Sequence, residues 1–329
     1  MKKKLIVTPP LITSYPAIAN VFSILGEHRD KVLPWISNYF IQLIVRPNYS
    51  FTQVDFYDHA DLNNHYCILW GCPYLNWMRN NIYTANFDKF TDYIEYQINQ
   101  GFYLEANLDN YYFRISEFYN KKHFIHPTFI YGYNNETKEV NISDFYNGKG
   151  YSRQIEDYDS INNSMANDYI INLYKYQDAE YTFNHELMNT YFEDYLYSRD
   201  SMKKYSFSYQ KYNHDVIYGL ECYDYIISNL SENEVWDIRP FHVLYDHKKL
   251  MCIRLEYLKN CNEYDYNKIN ESILISNKIF KKTEILRNMV VKYNLNKDIH
   301  LFDRIKEMCE KVKELDRKLF ESVLCSTKR

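Results

Sequence analysis

The stretch His126-Pro127-Thr128-Phe129-Ile130-Tyr131-Gly132-Tyr133-Asn134, followed by Asn141-Ile142-Ser143-Asp144-Phe145-Tyr146-Asn147-Gly148, decides how this chain is read. Thr128 to Tyr133 and Glu139 to Asp144 are rich in β-branched and aromatic residues, and Asn134-Asn135-Glu136 is a turn signal between them. Two such runs joined by a short polar turn predict an antiparallel hairpin. A histidine at the head of one strand and an aspartate near the end of the next then lie side by side. In that arrangement the carboxylate accepts from one imidazole nitrogen, fixes the tautomer, and leaves the other nitrogen free as a base.

Upstream, Ile18, Val21, Phe22 and Leu25 recur at helical spacing behind Pro16, which predicts an amphipathic helix over 16–25. A second helix is predicted over 88–100, with Phe90, Tyr93, Ile94 and Ile98 on one face and Gly101 as its stop. The period then changes to that of a strand over 102–108, ending in an Asp109-Asn110 turn. After Ile155 the texture reads as helical, with helices expected near 184–198, 216–228, 267–292 and 300–323. The expected fold class is α+β. Residues 1–165 are expected to form an α+β half and residues 166–329 a helical half.

Composition narrows the function classes. Lys+Arg 39 against Asp+Glu 43 gives a net charge of −4 over 329 residues, which argues against a dedicated nucleic-acid binder. Apolar runs such as Leu43-Ile44-Val45 are too short to span a bilayer, so no membrane partner is expected. The opening Met1-Lys2-Lys3-Lys4-Leu5-Ile6-Val7 stops at Pro9-Pro10 without a small-residue cleavage site, and does not read as a signal peptide. Seven scattered cysteines without CxxC spacing predict neither a disulfide framework nor a zinc site, and a reducing cytoplasm is the expected location. The 36 tyrosines bring hydroxyls that need partners when buried, so many rings should line a surface or a wet cleft. His185-Glu186 lacks the second histidine of HExxH, since Asn189 stands there, and neither a P-loop nor GxGxxG occurs. No cofactor or metal is expected.

The run Ile98-Asn99-Gln100-Gly101-Phe102-Tyr103-Leu104, then Leu108-Asp109-Asn110-Tyr111-Tyr112, then His126 to Tyr133, then Ile142-Ser143-Asp144, resembles the butirosin-biosynthesis protein H family. Tyr218-Gly219-Leu220-Glu221, Asp237-Ile238-Arg239-Pro240-Phe241-His242 and Asp246-His247-Lys248-Lys249 resemble its helical C-terminal half. The resemblance implies a papain-like, cysteine-peptidase-like N-terminal half. It also implies transfer of an acyl group from a carrier-protein thioester to an amine, as in the related closthioamide-type amide synthase. The implied partners are an acyl or peptidyl carrier protein bearing phosphopantetheine and a small amine acceptor; a homodimer is one possible assembly. His126 is then the base and Asp144 its orienter.

The departure lies at the nucleophile. A papain-like site places a cysteine on the first turn of its N-terminal helix, where the dipole and the histidine lower its pKa. Here the segment is Thr13-Ser14-Tyr15-Pro16-Ala17, and the first cysteine of the chain is Cys67. Ser14 is the hydroxyl that stands in that place, with Tyr15 a poorer substitute and a candidate substrate contact. Ser14 equally reads as a residue shaping the helix start. No glutamine stands just upstream to supply an oxyanion-stabilising amide. Cys67 and Cys72 sit among apolar residues and read as core thiols. Asp109 and Tyr111 are expected in a loop at the cleft, contacting substrate. Arg239 is a candidate partner for the acceptor or a phosphopantetheine phosphate, or else belongs to a salt-bridged helix connection. Since a thioester is already activated, two further readings stand: direct aminolysis assisted by His126, and a non-catalytic protein that binds a carrier protein or a peptide-like metabolite.

Overall fold

The computed structural model describes residues 1–47, 54–57, 71–81, 87–146, 148, 150–165, 170–201, 216–232 and 234–328. Its first half runs β1 (Lys2–Lys4), α1 (Pro16–Leu25), α2 (Arg29–Asn38), β2 (Leu43–Val45), β3 (Val54–Phe56), β4 (Leu75–Asn81), α3 (Phe90–Asn99) and β5 (Tyr103–Asp109). There follow β6 (Ile125–Asn134), β7 (Glu139–Phe145), β8 (Tyr151–Asp157), α4 (Tyr158–Asn163) and β9 (Ile170–Tyr176). The remainder is α5 (His185–Leu196), β10 (Ile217–Tyr218), α6 (Glu221–Ser228), α7 (Arg239–Leu258), α8 (Tyr266–Asn296) and α9 (Ile299–Leu324). The fold class is α+β.

Two compact units divide the chain: Met1–Val32 with Leu69–Glu180, and Leu33–Ile68 with Tyr181–Arg329. In the first, an antiparallel sheet has the order β4-β9-β5-β6-β7-β8, with β1 added to β6. Alternate residues of a strand face opposite sides. Leu104, Ala106 and Leu108 of β5, with Ile130 and Ile142, pack on Phe90, Tyr93, Ile94 and Ile98 of α3. Glu105, between Leu104 and Ala106, points the other way, where its Oε2 accepts from Asn20 Nδ2 of α1 at 2.5 Å. Tyr151 of β8 donates to Asn20 Oδ1 at 2.7 Å on that same face. Helix α1 therefore covers one side of the sheet and α3 the other.

Local chemistry explains the elements that the sequence predicts. Helix α1 has the predicted bounds, with proline in its first turn. Helix α3 ends where Gly101 adopts φ +84°; Phe102 N–H returns to Gln97 O at 2.9 Å and Gly101 N–H to Ile98 O at 3.0 Å, a Schellman stop. The β6–β7 hairpin carries an irregularity between Ile130 and Gly132. A Cβ at Gly132 would lie 2.9 Å from Lys3 O, so glycine lets β1 approach.

In the second unit, α7 packs on α8 and α8 on α9, with α5 and α6 against α9 and a small sheet ordered β10-β2-β3. Several expectations are corrected here. The texture after Ile155 is not helical throughout, because β9 inserts between β4 and β5 in the main sheet. The units accordingly divide at 180/181, with a further exchange at 32/33 and 68/69, rather than at 165/166. Residues 216–228 form a short strand before α6, separated from it by Gly219 at φ +55°. Of Asp237 to Lys249 only Asp237 and Ile238 precede the helix: Arg239 opens the 20-residue α7, and its salt bridge to Asp237 ties that connection.

Candidate active site

The β5–β6 register sets Leu108 opposite His126, and the β7–β8 register sets Asp144 opposite Ser152. This brings the two predicted side chains together: His126 Nδ1 lies 2.6 Å from Asp144 Oδ2. The Asp144 side chain is 0% exposed and the imidazole 24%. Asp144 Oδ1 accepts from Phe145 N–H at 2.7 Å. Burial pushes the Asp144 carboxyl above its ordinary pKa, and the hydrogen bond from His126 is the largest opposing influence. With the pair's proton on Nδ1, Nε2 carries the lone pair. One face of the imidazole is stacked on Phe124, with centroids 5.5 Å apart and planes 16° from parallel.

Ser14 and Tyr15 stand immediately before Pro16, the first residue of α1. They lead into α1, on whose side of the sheet Asn20 meets Glu105. Of the cysteine candidates, Cys67 lies outside the described residues. Cys72 is buried, and burial pushes its thiol up to about 12, which leaves it without a thiolate at neutral pH.

Asp109 is fully engaged by the protein. Its Oδ1 accepts from the N–H groups of Tyr111 and Phe124, each at 3.0 Å, and its Oδ2 lies 2.5 Å from His123 Nδ1. Burial alone would raise its pKa, but the His123 hydrogen bond and the two N–H groups outweigh it and hold the carboxyl below the ordinary value. The Tyr111 ring stacks on His123 at 4.3 Å. Asp109 and Tyr111 thus clamp the 110–124 loop at its two ends. His123 went unread in the sequence because its partner is fixed only by the β5–β6 register. In the second unit, Arg239 donates from Nε to both oxygens of Asp237, at 2.9 and 2.8 Å.

Compared with known proteins, the chain matches no family model and no curated protein. Among the described residues, no group of three or more His, Cys, Asp or Glu is placed to hold a metal ion. Nor is any helix among them long and apolar enough to cross a membrane.

A cavity of about 670 Å³ opens elsewhere in the first unit, between Asp92, Tyr112, Arg114, Lys138, Asp157 and Tyr158, and His126 is not in its walls. Behind it Glu156 is buried, and burial raises its carboxyl to about 7 despite the Ile115 N–H that it accepts at 3.3 Å. The folded state therefore holds a proton that the unfolded chain releases near pH 4.5. Stability from this group is present below that pH and lost as pH rises toward 7. Glu156→Gln is expected to raise unfolding free energy at pH 8 by about 2–3 kcal/mol and to change little at pH 4. Urea titrations at the two pH values check this; an equal effect at both would refute it.

Proposed function

We propose that this protein is an amide-forming acyltransferase with a papain-like first unit and His126 as its base. The observation that carries this is the 2.6 Å contact from His126 Nδ1 to a wholly buried Asp144 carboxyl, with the imidazole itself partly exposed. A proline-opened helix against an antiparallel sheet, with histidine heading one hairpin strand and aspartate on the next, supports the papain-like assignment. The donor is an acyl thioester on the phosphopantetheine of a carrier protein, and the acceptor is a small amine.

Direct aminolysis is favoured over an acyl-enzyme on Ser14 because a thioester is already activated and the segment Thr13-Ser14-Tyr15-Pro16-Ala17 holds no cysteine. The amine nitrogen attacks the thioester carbonyl, and its proton passes to His126 Nε2. The C–S bond breaks, and the leaving thiolate recovers that proton from the imidazolium. Amide and thiol form with no further reactant. Asp144 stabilises the imidazolium, while the site holds two activated partners together, which can supply several kcal/mol of the barrier.

Intact-protein mass spectrometry during turnover of an acyl-loaded carrier protein with n-butylamine tests the scheme. Amide product without an acylated protein is the expected result. A stable acyl adduct on Ser14 would replace direct aminolysis by covalent catalysis. Neither product nor adduct would leave a protein that binds a carrier protein or a peptide-like metabolite without chemistry.

A further inference from the structure

We infer that Phe118 and Phe124 form the acyl-chain subsite of the His126 centre and select aromatic or bulky aliphatic acyl groups. This rests on the reading of His126 as the base. Phe124 is 37% exposed and stacks on the imidazole of His126, an apolar ring beside a polar pair. Apolar walls with a few convergent polar groups are the usual make-up of a small-molecule site. The Phe124 ring lies between His126, at 5.5 Å, and Phe118, at 4.5 Å. A carbonyl whose attacking amine is deprotonated by Nε2 must sit beside the imidazole. The first atoms of its acyl chain then reach the Phe124 ring, the surface adjoining that imidazole, and longer chains extend toward Phe118.

Both rings stand on braced backbone. Phe124 N–H is held by Asp109 Oδ1 at 3.0 Å, and its carbonyl accepts from Asn110 N–H at 2.9 Å. Phe118 N–H donates to Ser116 Oγ at 3.1 Å, and its carbonyl accepts from Lys121 and Lys122 N–H groups at 3.0 and 3.2 Å. A wall fixed before the ligand arrives loses little entropy on binding. Asp109 is therefore a positioning residue: through the Phe124 amide and the His123 ring it holds the wall against the imidazole. A short acyl group would leave the rings uncovered, and an anionic one would be desolvated against them.

The test uses the full chain with phenylacetyl- and acetyl-N-acetylcysteamine thioesters and n-butylamine. The phenylacetyl thioester is expected to have a kcat/KM roughly 10- to 100-fold above acetyl, the range one apolar pocket supplies. Phe124→Ala should bring the ratio to within about threefold, and Phe118→Leu should lower it less. Asp109→Ala should raise KM for phenylacetyl more than it lowers kcat, a split that general loss of folded protein would not give. Saturation-transfer NMR of the same thioesters reads binding without turnover. Saturation of the phenyl ring by the wild type and by His126→Ala, but not by Phe124→Ala, supports the subsite even where no amide forms, and in that case the base assignment fails alone. Amide formation at equal rates from both thioesters, or phenyl saturation unchanged in a folded Phe124→Ala protein, overturns the subsite and spares the base.

Discussion

His126→Ala should lower amide formation by roughly 10²- to 10⁴-fold, the share of rate that a positioned general base supplies. The fold should survive at reduced stability: Asp144 loses its partner, but its carboxyl, already raised by burial, can take up a proton and keeps the Phe145 N–H on Oδ1. Chromatographic quantification of the amide from an acyl-loaded carrier protein gives the rate, and far-ultraviolet circular dichroism gives the fold. A rate within threefold of wild type would remove His126 from the chemistry. Asp144→Asn makes the companion case. A carboxamide keeps the shape of the carboxyl but can turn an N–H toward Nδ1, and the tautomer that then results carries its proton on Nε2, where the base is needed. It also removes the charge that steadies the imidazolium. Loss of rate in Asp144→Asn with substrate binding retained separates an orienting role from a merely structural one.

How much of this was readable without coordinates depends on how far each signal reaches along the chain. The bounds of α1 and the stop of α3 rest on residues within a turn of one another, such as Pro16 and Gly101, and sequence periodicity finds them. The His126–Asp144 pair was legible because a hairpin joins its members. Which face of the sheet they share was not, since that depends on Leu108 standing opposite His126. Helix α7 was missed for a similar reason. Its buried face includes Asp246, His247, Lys248 and Arg254, charges that read as solvated until their distant partners are known. Arg254, for one, donates to the carbonyls of Ser37 and Tyr39 at 3.0 and 2.6 Å. Strand β9 failed as an apolar run after a presumed boundary, whereas Ile171, Leu173 and Tyr174 are buried by strands that precede them by some 70–100 residues.

The largest expected effect on stability lies in the second unit. Lys248 Nζ, 1% exposed, lies 2.5 Å from the fully buried Asp316 Oδ2 and 2.7 Å from His247 Nδ1. Tyr195 and Tyr223 donate hydroxyls to the same Asp316 oxygen at 2.5 and 3.3 Å, so α5, α6, α7 and α9 meet at one carboxylate. His247 accepts on Nδ1 and donates from Nε2 to Ile41 O at 2.7 Å, which commits both nitrogens in the neutral form; burial and then Lys248 drive its pKa well below the ordinary value. Asp316→Ala strands an ammonium among groups that cannot balance it and should cost about 3–5 kcal/mol of unfolding free energy. Burial already pulls the Lys248 pKa down, and Asp316 is the largest influence holding it up. In the variant the amine would meet its burial by losing its proton, while the unfolded chain keeps one up to about pH 10.4. The unfolded state then binds more protons, so the variant's stability rises with pH and its deficit against wild type narrows between neutral pH and pH 10. Urea midpoints at pH 7 and pH 9.5 measure both the size and the slope. Lys248→Met in the same background removes the stranded charge and should recover part of the loss at pH 7, but less at pH 9.5, where the amine is already closer to neutral. A deficit under about 1 kcal/mol, or one that widens with pH, would mean that the attraction between Lys248 and Asp316 is not what holds these four helices together.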